Sequence, residues 1–164
     1  MSFWTRHLEG FPVSMTTQEL IEAIHNAFAA TPLPQELTSL SVKSNRPYEA
    51  EHLKRSFSGK TWQQISPATL HDCGSMLMYF TPEVFCYYLP VCLILTVDYY
   101  NSDFVGESTL YFFSIKGSEE AQREVLGLLT DRQKFVILHV FKYLHENYSV
   151  EEDYIPYPTE LMSK

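Results

Sequence analysis

The side chains of this chain that could do chemistry fall into a few short groups, and each group can be tested against the spacing its chemistry requires. Ser58-Gly59-Lys60-Thr61 looks like the second half of a phosphate-binding loop. The full loop has another glycine five residues before Gly59, because successive backbone N–H groups must wrap the phosphates. That position holds Lys54, and no apolar strand leads into the segment. The segment therefore reads as a turn between two helices, with Gly59 stopping the first. His71-Asp72-Cys73 sets three capable side chains in a row. Adjacent residues rarely point at one centre, and no second pair stands at metal-ligand spacing. Glu49 and His52 have the i, i+3 spacing of half a di-iron site, but the matching half and two further glutamates on facing apolar helices are missing. Cys86 and Cys92 lie in an apolar stretch where solvent should not reach, and there is no Gly-x-Ser-x-Gly elbow. His139 is placed on the polar face of its helix as an ordinary solvated histidine, and His25 at the edge of a core stripe. No catalytic residue, metal site or cofactor is expected.

The elements that carry these residues are helical by pattern. Thr16, with Glu19 three residues on, forms a capping box, and Leu20, Ile21, Ile24, Ala27 and Phe28 recur on one face, predicting a helix over 17–29. Residues 30–47, with three prolines, read as an irregular connection. Tyr48 to Phe57 reads as a short helix, and Trp62 to Leu70 as another interrupted by Pro67. Thr81, Pro82 and Glu83 are the cap, first position and first-turn acid of a helix. From Val84 to Val97 that helix carries no charge and no polar stripe, which predicts burial on every side. The apolar run of 14 residues is about 21 Å long, short of the roughly 20 residues a membrane span needs, and no basic residue anchors its ends. Pro90 removes one main-chain hydrogen bond at mid-helix, so a kink is expected there. The freed carbonyl together with Tyr87, Tyr88 and Pro90 marks a candidate pocket.

Farther on, residues 102–115 suit either helix or strand, and a helix from near Asp103 is favoured. The one strand partner would be Met76 to Phe80, and a lone two-stranded ribbon is marginal. A short helix opens at Ser118-Glu119-Glu120. Thr130 and Gln133 make a second capping box for a helix over 131–147, with Ile137, Phe141, Leu144 and Tyr148 as its buried stripe, widened by Val136 and Val140. Arg132, Phe135, His139, Lys142 and Glu146 form the opposite face. The predicted fold is mainly α: one bundle of five or more helices around a central Pro-kinked helix (residues 82–97), with at most a minor β ribbon. The helical domain covers 1–150, and 151–164 form an acidic extended tail.

Composition narrows the function further. At 164 residues with 45% hydrophobic content, the chain can bury roughly 70% of its unfolded surface in one core. The opening residues MSFWTRHLEGF lack a basic region followed by an apolar run, which predicts no signal peptide. Three cysteines, an odd number, predict reduced thiols and a cytoplasmic location. A net charge of −8 disfavours nucleic acid and anionic lipid as partners. The charge is uneven: residues 43–60 hold five cations against two carboxylates, a balance of +3, which leaves −11 for the rest.

Trp62 after a turn, then Phe80-Thr81-Pro82-Glu83 with Phe85, Tyr87, Tyr88, Leu89 and Pro90, and later Leu129-Thr130 with Gln133, resemble an uncharacterised family of small bacterial proteins, a domain of unknown function. The resemblance covers about residues 17–147 and implies a helical domain and a bacterial origin, with no activity attached. With every chemical constellation failing on spacing, the expected function is non-enzymatic protein binding, for example an immunity-type protein that neutralises a bacterial toxin by covering it. A cationic partner would meet the acidic surface, with Glu151, Glu152 and Asp153 contributing. A structural or assembly subunit, and an enzyme of unrecognised type, are the alternatives.

Overall fold

The computed structural model describes residues 15–34, 45–99, 109 and 119–148. Among them are six α-helices and two 3-10 segments, with no strand. Helix α1 (Thr17–Phe28) begins at the expected capping box: the Thr16 hydroxyl accepts from the Glu19 N–H at 3.3 Å, and the Glu19 carboxylate accepts from the Thr16 N–H at 2.8 Å. That backbone hydrogen bond is the main reason the Glu19 carboxyl titrates below its ordinary range. Leu20, Ile24 and Phe28, one per turn, are buried.

Helix α2 (Pro47–Phe57) opens with proline, which lacks only an N–H that no helical carbonyl would have received, and it buries Leu53 and Phe57. The chain leaves α2 through Gly59, whose φ of 72° is in the left-handed region that glycine enters without a Cβ penalty. A 3-10 turn (Trp62–Gln64) and helix α3 (Pro67–Cys73) follow. The expectation of one interrupted helix from Trp62 to Leu70 is thereby corrected. Pro67 stands at the first position of α3, behind a Ser66 cap whose hydroxyl accepts from the Thr69 N–H at 3.2 Å, so it starts a helix rather than breaking one. Residues Gly74–Tyr79 form a second 3-10 segment. The strand considered for Met76 to Phe80 is absent; only a bridge position at Phe80 remains before the chain turns into the next helix.

Helix α4 (Pro82–Tyr99) runs unbroken through Pro90. Residues 84–93 and 95–97 are all buried, which is burial around the full circumference. The neighbours responsible are α1, the 3-10 turn at 62–64, and two later helices, α5 (Glu119–Leu128) and α6 (Asp131–Tyr148). Helix α6 starts at the second capping box, in which the Thr130 N–H donates to Gln133 Oε1 at 2.9 Å and the Gln133 N–H donates to Thr130 Oγ1 at 3.2 Å. The Gln133 amide also donates to the Ala27 carbonyl and to Thr31 Oγ1, while Thr17 and Tyr143 share a hydrogen bond of 2.7 Å. These contacts tie the start of α6 to the end of α1 and the end of α6 to its start, so the two helices run antiparallel beside α4. No helix among the described residues is long and apolar enough to cross a membrane. The helix favoured for 102–115 lies outside the described residues apart from Thr109, which is buried.

Candidate functional site

The segment Ser58 to Thr61 closes a helix. The Ser58 N–H donates back to the Lys54 carbonyl at 2.9 Å and the Lys60 N–H to the Phe57 carbonyl at 3.1 Å, so these amides do not fan out toward a ligand. The Lys60 ammonium donates to the Ser56 carbonyl at 2.8 Å, against the same helix end. A phosphate cradle has the opposite arrangement, a loop opening into a helix N-terminus.

The other groups are placed apart by the packing. His71 and Asp72 are exposed, with His71 Nδ1 3.9 Å from Asp72 Oδ1, whereas Cys73 is buried. Burial raises the Cys73 thiol, and a hydrogen bond with the Ser56 side chain only partly offsets that. Glu49 pairs with Arg46 at 3.3 Å, and His52 stacks on Tyr48. Among the described residues no three His, Cys, Asp or Glu side chains gather where a metal ion could be held. Burial pushes the thiols of Cys86 and Cys92 up to about 12, and the Cys86 thiol lies 3.7 Å from the Val125 carbonyl. Neither forms a thiolate nucleophile at neutral pH.

Tyr87, Tyr88 and Pro90 are buried. The Tyr88 hydroxyl donates to the carbonyls of Lys60 (2.9 Å) and Phe57 (3.2 Å), and its ring meets Phe57 edge-on at 4.8 Å. The Tyr87 hydroxyl is linked to the Trp62 backbone, and burial raises both phenols. A ligand entering here would have to part α4 from the turn after α2.

His139 is a correction. The helix pattern places it among solvated residues, yet it is only 5% exposed, with its ring centroid 4.3 Å from that of Phe135. Leu138, on the other edge of the apolar stripe, is buried as well, so the covered arc of α6 is wider than the sequence pattern suggested. His25, by contrast, is exposed and lies against the Trp62 ring at 5.1 Å.

Burial, and secondly the Lys142 charge, hold the His139 pKa below its ordinary 6.5. Below about 6.5 the unfolded chain takes up this proton before the folded one does, so stability falls as pH drops from that value toward the depressed folded pKa. Above 6.5 the residue is neutral in both states and contributes no slope. Thermal melts between pH 7.5 and 5 should show this loss, and His139→Leu should flatten it. An unchanged slope in the variant would mean that the imidazole reaches water in the folded protein.

Glu151, Glu152 and Asp153 lie outside the described residues, as does the rest of the acidic tail. Sequence reasoning passed over Tyr48, which is 79% exposed on α2. The signal was available, since Tyr48 lies on the side of α2 away from Leu53 and Phe57. A model of a family of unknown function (DUF6714) matches residues 16–155, a span that reaches past residue 147 and takes in Glu151, Glu152 and Asp153. No curated protein and no solved structure matches the chain.

Proposed function

The chain belongs to this family of unknown function, and from that premise we propose that it is a non-enzymatic protein-binding domain acting in the cytoplasm of a bacterium. Its acidic surface meets a cationic partner, and an immunity-type role, neutralising a toxin by covering it, is the form that fits best. One observation carries the reading: the nucleophilic groups of the central helix are sealed in the core, while charge lies outside. Cys86, Cys92, Tyr87 and Tyr88 are buried among apolar neighbours, where none can meet a substrate. What the chain offers a partner is a net charge of −8, with the acidic run Glu151-Glu152-Asp153 inside the family match.

Charge complementarity acts mainly on the rate of encounter. A cationic partner isolated by pull-down from the native host should therefore associate faster at low salt. The advantage should shrink as the Debye length falls from about 30 Å to about 8 Å. The triple variant Glu151→Gln, Glu152→Gln, Asp153→Asn should slow association more than it changes dissociation, as rim charges do. Association kinetics at the two salt concentrations read both effects. Salt-independent binding, or an unaltered on-rate in the variant, would remove the acidic run from the interface. Turnover of a small molecule by the purified chain would overturn the binding reading itself.

A further inference from the structure

We draw no further inference here: the strongest candidate, the outer face of α2 around the exposed Tyr48 and its stacked neighbour His52, sits on a helix whose two carboxylates offset its two cations, and nothing in the structure shows what covers it.

Discussion

Leu89→Asp is expected to unfold the protein. Leu89 is fully buried at the middle of α4, in a run where every neighbour on the helix is also buried. Among the described residues the buried core holds no lysine or arginine to pair with a carboxylate there, and its desolvation costs several kcal/mol even after neutralisation. Domains of this size are stable by only about 5–15 kcal/mol, so one such change removes much or all of the margin. Leu89→Ala is the graded companion: it removes the side chain without adding charge and should cost about 2–5 kcal/mol. Far-ultraviolet circular dichroism and urea unfolding read both variants. An aspartate variant that melts at the wild-type temperature would place α4 at the periphery.

Tyr88→Ala should have the next largest effect. The ring touches Phe57 at 4.8 Å, Tyr87 at 5.0 Å and Phe80 at 5.8 Å, and is almost fully buried. Losing it opens a cavity between α4 and the end of α2, at a cost of about 3–5 kcal/mol. Tyr88→Phe isolates the hydroxyl, and should cost about 1 kcal/mol, the net worth of a typical hydrogen bond. The small value has a structural reason: the Phe57 carbonyl also accepts from the Lys60 N–H. Equal losses in the two variants would mean that the hydroxyl, not ring packing, holds the turn after α2 against α4. That comparison also tests why Ser58 to Thr61 is a turn: it is positioned by an internal tyrosine rather than shaped to receive phosphate.

Much of the fold was legible because its signals act within one turn of chain. Both capping boxes, Thr16 with Glu19 and Thr130 with Gln133, bond as their spacing requires. The start of α4 at Pro82 and its burial on all sides follow from a proline at the first position and the lack of any polar stripe. The irregular middle was harder. Pro67 is ambiguous by pattern, because a proline in an apolar run reads equally as a stop or a start, and only the Ser66 cap decides between them. Met76 to Phe80 has the residues of a strand, but a strand needs a pairing partner, whereas a 3-10 segment makes its bonds within itself.

The sequence by itself determined that this chain is helical, that residues 84–97 form its centre, and that no phosphate-loop or metal-ligand spacing is present. Each of these rests on backbone bonds or side-chain periods only a few residues long. Tertiary structure decided what those rules cannot reach. It buried His139, because the arc of a helix that is covered depends on which distant elements pack against it, not on the helix's own pattern. It engaged the Tyr88 hydroxyl with carbonyls 28 and 31 residues away, and the Gln133 amide with Ala27 and Thr31, more than a hundred residues back. And it left Tyr48 in solvent beside His52, since a helix anchored along one side must present its other side outward.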